Sequence, residues 1–209
     1  MLNTPAPPPA AAAAFTAGLP SFLFGPSGIV SSAGIPSTLP TFADVGPGFL
    51  AAQQIYVLRL TDITANAGPV SPKSSGWQFF AGHPYPPAKM VLATVVQRPS
   101  ASAWTLVCLD YGEGVVEQFE VGQMLLNFSP AQEANYDLRW LEVPGVNVRA
   151  FWLASQTDGA PDYVVPYPGG TAQVIPALQN TNPYTMSAFL AIIRPLALLN
   201  GSMPAGYGA

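Results

Sequence analysis

The sequence predicts an α+β fold: an antiparallel sheet of about five or six strands packed by one amphipathic helix. A second short helix is expected near the C-terminus, and an extended Pro/Ala-rich N-terminal arm precedes the sheet. Three observations support this prediction: short apolar runs rich in β-forming residues, one stretch with helical periodicity, and Pro/Gly clusters between them. The predicted strands and helices alternate too little for a doubly wound parallel sheet.

The arm, residues 1–50, contains one charged side chain, Asp44, and many prolines and alanines. Its start favours polyproline II followed by a short patch that could form a helix. The arm also carries bulky apolar side chains, which disordered segments usually lack. We therefore expect it to lie on a protein surface, either that of its own domain or that of a neighbouring copy. Its candidate assembly contacts are Phe15, Phe22, Leu23, Phe24, Ile29 and Phe42.

Three strands are predicted before the main helix. Residues Gln54–Asp62 are rich in β-branched and aromatic side chains, and Lys89–Gln97 contains the longest apolar run of this region. Trp104–Asp110 follows after a turn that begins at Pro99, so these two segments are expected to form a hairpin. Trp77–Phe80 is a short aromatic run that leads into a proline-rich loop.

The main helix is predicted over Gly112–Asn127, where apolar residues recur every three or four positions. Asp110 and Glu113 are spaced as in a capping box, which predicts that Asp110 caps the helix. The carboxylates Glu113, Glu117 and Glu120 are expected to form an exposed face of this helix.

Beyond this helix, Tyr136–Val143 alternates between apolar and polar residues, whereas Val148–Leu153 is apolar on both sides near its end and is expected to be central or covered. Together they predict a second hairpin. Pro144-Gly145 between them is typical of a type II turn, with a positive φ at the glycine. Tyr163–Val165 lies between prolines and predicts an edge strand. Thr185 is expected to cap the last helix. The predicted organisation is therefore the arm 1–50, a single α+β domain 51–200 and an uncharged tail 201–209.

Charge is the most informative property of the composition. Only 9% of the residues are charged, against about 25% in an average soluble domain. The seven Lys and Arg residues are scattered, so no basic patch is expected and nucleic-acid binding is not predicted.

Three further observations concern membranes and the cellular compartment. The apolar run Ala188–Leu199 is interrupted by Arg194 and Pro195 and is shorter than the ~20 residues that a membrane span needs. No basic segment resembling the start of a signal peptide is seen, which is compatible with cytoplasmic synthesis. A single cysteine, Cys108, excludes an internal disulfide and is expected to be a small core residue.

No motif predicts a catalytic centre, a metal site or a bound cofactor. His83 is the only histidine and lies between glycine and proline, where a loop residue is far more common than a catalytic base. The carboxylates of the main helix are expected to point into solvent together, and not across a cleft. An enzymatic function is therefore not predicted.

Low charge, a high apolar content of 49% and uncharged termini favour a structural subunit of a shell-, filament- or capsid-like assembly. Its expected partners are other copies of the chain or other subunits, contacted through the N-terminal arm. The alternative is a small-molecule-binding module or an enzyme with an aromatic-lined pocket. The candidate lining residues of that pocket are Trp77, His83, Tyr85, Trp104 and Trp152.

Overall fold

The computed structural model describes residues 2–24, 48–65, 70–83, 89–98, 103–128, 134–167, 175–178 and 182–201. Within them the chain forms nine strands: β1 Leu2–Asn3, β2 Ala51–Val57, β3 Lys73–Gly82, β4 Met90–Gln97, β5 Trp104–Tyr111, β6 Tyr136–Val143, β7 Val148–Ser155, β8 Tyr163–Pro166 and β9 Tyr184–Thr185. The helices of these segments are α1 Pro9–Phe24, α2 Leu60–Thr64, α3 Glu113–Leu125 and α4 Met186–Gly201, and a 3-10 turn covers Pro144–Val146.

The strands follow the order β5-β4-β3-β2-β6-β7-β8-β9, and β1 pairs with β6. The β1–β6 pair is parallel, whereas β3–β4, β4–β5, β6–β7, β7–β8 and β8–β9 are antiparallel, so the sheet is mixed. The chain divides into two compact units: unit 1 contains residues 1–3, 55–74 and 129–209, and unit 2 contains 4–54 and 75–128. The predicted division at residues 50 and 200 remains a prediction.

The predicted fold class was wrong in two respects. The sheet has nine strands and is mixed, whereas five or six antiparallel strands were expected. The described residues also contain four helices instead of two. β1 and β9 are only two residues long, so no apolar periodicity could reveal them.

The first half of the predicted extended arm is the helix α1. Ala11, Phe15 and Leu19 recur every four residues along it and are completely buried. The run of alanines favours helix, and this propensity outweighs the extended conformation that the preceding prolines favour. Pro20 is accommodated inside the helix.

The predicted strand 54–62 ends at Val57, and the chain continues into α2. Asp62 explains the change, because its carboxylate oxygen accepts a hydrogen bond from the Arg59 N–H at 3.2 Å and so stabilises the first helical turn. The Thr64 hydroxyl donates to the Leu60 carbonyl at 3.0 Å. The β-branched residues of this segment therefore predicted a strand where the chain forms a short helix.

Unit 2 is built around β3, β4 and β5, with a core on each face of these strands. On one face α1 contacts the first core, which contains Trp77, Phe79, Val91, Ala93, Val95, Leu106 and Leu109. Phe80, Met90 and Leu92 alternate with these residues along β3 and β4, so they lie on the opposite face, where they pack with Val115 and Val116 of α3.

The start of α3 differs from the prediction, because Asp110 belongs to β5 and is paired with Leu92. The residue before the helix is Gly112, whose φ of 98° is readily adopted only by glycine. Glu113, Glu117 and Glu120 are exposed on α3, which confirms the predicted acidic face. The helix is therefore positioned by the glycine turn and not by an aspartate cap.

Unit 1 contains the β6–β7 hairpin, extended by β8 and β9. The hairpin turn is the 3-10 segment Pro144–Val146, and its positive φ of 51° lies at Asn147 instead of Gly145. Gly145 has a close neighbour instead: a Cβ there would overlap the Leu60 side chain, which would have to move. The core of this unit combines the hairpin with α2 and α4.

Candidate interaction surface

Helix α4 is anchored to unit 1 by its apolar inner face. Phe189, Ile193 and Ala197 recur every four residues and are completely buried, and Leu190 is nearly so. The helix begins as the sequence predicts, because the Thr185 hydroxyl accepts a hydrogen bond from the Ala188 N–H at 3.3 Å.

Two polar side chains of α4 donate hydrogen bonds to the rest of unit 1. Nε of Arg194 donates to the Ile63 carbonyl of α2 at 3.1 Å. Nδ2 of Asn200 donates to the Gly145 carbonyl in the hairpin turn at 2.7 Å. Arg194 is the only charged residue of the helix, so the remaining surface of α4 carries no charge.

We define the α4 outer face as the exposed residues Ser187, Ala188, Ala191, Pro195, Leu198 and Leu199. The two leucines are 54% and 62% exposed. Pro195 has no N–H to donate to the carbonyl of Ala191, one turn earlier on the same face. The α4 outer face is therefore uncharged and mainly apolar, and one of its exposed positions is a proline within the helix.

Helix α1 has a similar surface in unit 2. We define the α1 outer face as its exposed residues Pro9, Ala10, Ala13, Thr16, Ala17 and Ser21. The helix contains no charged residue at any position. The Thr16 hydroxyl donates to the Ala12 carbonyl at 3.1 Å and is therefore engaged within the helix. Helices that are apolar on all sides are normally buried, so it is unusual that α1, which carries no charge, has one face exposed.

Helix α3 shows that the chain can produce an ordinary solvent-facing helix. Its exposed side carries three glutamates, although Met124 on it is 63% exposed. Its buried side contains Gln118, whose amide donates to Oε1 of Gln78 in β3 at 3.1 Å. Of the three long helices that the structure describes, only α1 and α4 therefore have an exposed side without charge.

The candidate arm contacts are only partly available on the surface of the single chain. Phe15 is completely buried in unit 2 and stacks on Phe79, with ring centroids 5.0 Å apart. Phe22 is half-buried against the same core. Leu23 and Phe24 lie in the last turn of α1, and Ile29 and Phe42 lie outside the described residues. Their predicted role in assembly remains a prediction.

The candidate pocket residues are distributed over several places. Trp77 is buried and Trp104 half-buried in the core beneath α1, whereas Trp152 belongs to the core of unit 1. His83 is exposed just after β3, and Tyr85 lies outside the described residues. The structure thus places Trp77 and Trp104 together but does not bring the exposed histidine into their core.

A polar cluster in unit 1 was missed by the sequence analysis. The guanidinium of Arg139 lies 4.8 Å from the ring centre of Tyr56 and 4.9 Å from that of Trp152. It also forms an ion pair with Asp137 at 3.0 Å. Nε1 of Trp152 donates to the carboxylate of Asp162 at 3.0 Å.

This cluster stabilises unit 1 by cation–π contacts that join β6 to β2 and β7, and by side-chain hydrogen bonds. Arg139 and Trp152 are directly opposite each other in the β6–β7 register, so strand alternation would have been a usable signal for their contact. The position of Tyr56 beside them depends on β2, which no local pattern in the sequence connects to β6. We assign the cluster a structural role.

Within the described segments, no group of three or more His, Cys, Asp or Glu side chains is arranged to hold a metal ion. No helix in these segments is long and apolar enough to cross a membrane. Comparison with protein-family models, with curated proteins and with solved structures finds no match to this chain. The interpretation of the outer faces therefore depends on their physical chemistry alone.

Proposed function

We propose that the chain is a structural subunit of a larger protein assembly, joined to its neighbours through the uncharged outer faces of α1 and α4. The observation that carries this proposal is that two 16-residue helices present surfaces without a single charged side chain. Contiguous apolar patches on a soluble protein mark interaction sites. Covering these faces with neighbouring subunits removes apolar surface from water.

The chemistry of the two faces favours a protein partner. The centres of protein–protein interfaces are depleted of charged residues, and these two faces carry none. The faces also lack the basic residues that would attract nucleic acid or an anionic lipid surface. Among the described residues of the arm, we propose that the outer face of α1 makes the subunit contacts, because Phe15 packs inside the same subunit.

The proposal is tested by measuring the molar mass of the full chain in solution, using size-exclusion chromatography with light scattering over a wide range of concentrations. We expect particles heavier than the 21.9 kDa chain, increasing in population with concentration. Introducing a carboxylate into either outer face, by Ala17→Glu or Ala191→Glu, should shift the population toward smaller species. Both positions are exposed, so circular dichroism should show an unchanged fold.

A matched control is available on α3. Met124 is even more exposed than the leucines of α4 but lies on a helix with an ordinary charged surface. Met124→Glu should therefore leave the mass distribution unchanged. A wild-type chain that stays at 21.9 kDa at every concentration would contradict the proposed function.

A further inference from the structure

The exposed residues of α4 follow a regular stripe along the helix. Ala188, Ala191, Pro195 and Leu198 are separated by three, four and three positions, which is the spacing of the contact positions in a two-helix coiled coil. All four are exposed, and the stripe is uncharged because Arg194 donates inward to α2. A helix packed against this stripe would therefore contact it over about three turns.

The absence of charge on the stripe restricts the chemistry of what can cover it. A charged partner surface would lose its hydration on contact and find no opposite charge on the stripe, which costs free energy. The matching surface must itself be an uncharged helical or flat apolar face. The outer faces of α1 and α4 both meet this requirement, and any second copy presents them in the same form. The α4 stripe also has its alanines at one end and the larger Pro195 and Leu198 at the other, an order that two copies can match.

The sizes of the side chains select one orientation. If two copies of α4 pack antiparallel across a two-fold axis near residue 193, Ala188 lies opposite Leu198 of the second copy and Ala191 lies opposite its Pro195. Each small residue then faces a larger one, and all four stripe positions are used in both copies. A parallel pair would instead place leucine on leucine and alanine on alanine, with unequal gaps along the contact.

We propose that the α4 outer face binds the same face of a second copy of this chain, as an antiparallel two-fold helix pair. The pair rests on the proposed function and specifies one of its contacts. The contact is isologous, so it closes after two copies. The α1 outer face remains free to join such pairs into a larger particle.

The orientation is tested by disulfide trapping in the full chain with Cys108→Ser, which removes the native thiol. Under mild oxidation, the double variant Ala188→Cys/Leu198→Cys should give a covalent dimer in high yield. The two single variants should not, because each residue lies ten positions from its own symmetry mate, or about 15 Å along the axis. A disulfide requires Cα atoms within about 7 Å. A mixture of the two single variants should again form the dimer.

The same distances prevent an internal disulfide in the double variant, since positions 188 and 198 of one helix are also about 15 Å apart. Efficient crosslinking of Leu198→Cys alone would indicate a parallel pair and would overturn the proposal. Absence of crosslinking in the double variant, at concentrations where the wild type is larger than a monomer, would also overturn it.

The strength of the contact is tested by Leu198→Glu, which places a charge at a stripe end that is 54% exposed in the single chain. The two-fold axis repeats the substitution at both ends of the contact, where each carboxylate would lose hydration opposite Ala188, so we expect the dissociation constant of the pair to rise at least about thirtyfold. Met124→Glu serves as the matched control and should leave this constant unchanged.

Failure of the pair can be distinguished from failure of the proposed function. If Ala17→Glu reduces the particle mass and Leu198→Glu does not, the assembly uses α1 and the α4 pair is wrong. If the wild type is a monomer, both proposals fail. If it is a monomer that floats with phosphatidylcholine vesicles, and Leu198→Glu abolishes flotation, the face binds lipid and the pair is likewise refuted.

Discussion

The burial of Phe15 predicts a large loss of stability when its side chain is truncated. Its ring is completely buried, stacks on Phe79 with the planes 16° apart, and meets Phe49 edge-on at 6.1 Å. Phe→Ala substitutions in protein cores cost about 3–5 kcal/mol, which includes the cavity that is left. Because Phe15 contacts two rings and has no exposed surface, we expect Phe15→Ala to lower the free energy of unfolding by about 4 kcal/mol.

Urea unfolding followed by tryptophan fluorescence measures this loss. Trp77 and Trp104 belong to the core beneath α1 and report on unit 2. Phe49→Ala is a matched control, since Phe49 contacts the same ring of Phe79 but is 39% exposed. It should cost about half as much as Phe15→Ala.

The result also separates two roles of Phe15. If it acts inside its own subunit, the loss of stability is independent of protein concentration. If it contacts a neighbouring copy, the loss appears only where the wild type assembles. A loss below about 1 kcal/mol in the monomer would refute the docking of α1 on the sheet of unit 2.

Three further substitutions should give defined results in the same unfolding assay. Gly18→Val should lower the free energy of unfolding by more than about 2 kcal/mol, because even a Cβ at residue 18 would lie 2.7 Å from Cβ of Leu106. An unchanged urea midpoint would show that α1 can shift away from β5. Asp162→Ala should lower the free energy of unfolding by about 2–4 kcal/mol. The Asp162 carboxylate accepts hydrogen bonds from Nε1 of Trp152 at 3.0 Å and from a β7 backbone N–H at 2.8 Å, and Asp162→Asn should cost less. Gln118→Leu should lower the free energy of unfolding by about 1–3 kcal/mol, because it leaves its buried glutamine partner in β3 without this hydrogen bond. Replacing both glutamines by leucine should recover much of the loss.

The sequence was most informative where local pattern and tertiary structure agree. β6 has the predicted bounds Tyr136–Val143, and β7 begins at the predicted Val148. Apolar and polar residues alternate along most of β6, as a strand with two different faces requires. β7 is apolar and buried on both faces between Arg149 and Ser155. The acidic side of α3 could likewise be predicted, because its periodicity is set by the helix itself.

Prediction failed where the decisive interaction is distant in the chain. Only a short helical patch was expected within an extended arm, because the prolines of residues 1–50 are local signals. The surface that stabilises Phe15 comes from β3 and β5, which are distant in the chain. The outer face of α4 could have been found from spacing alone. The lack of charge on this face depends on Arg194, which is directed inward to the Ile63 carbonyl. The two residues are 131 positions apart, so no local pattern reveals their contact.

The way the chain passes between its two units has a consequence for folding during synthesis. Residues 1–3 belong to unit 1, although 4–54 and 75–128 form unit 2. A nascent chain that has emerged as far as Phe128 therefore contains all of unit 2, but its first residues must wait for β6 before they can pair. We expect the ribosome-bound intermediate to keep both its leading end and residues 55–74 unprotected, so proteases should cleave it there until the last 81 residues arrive.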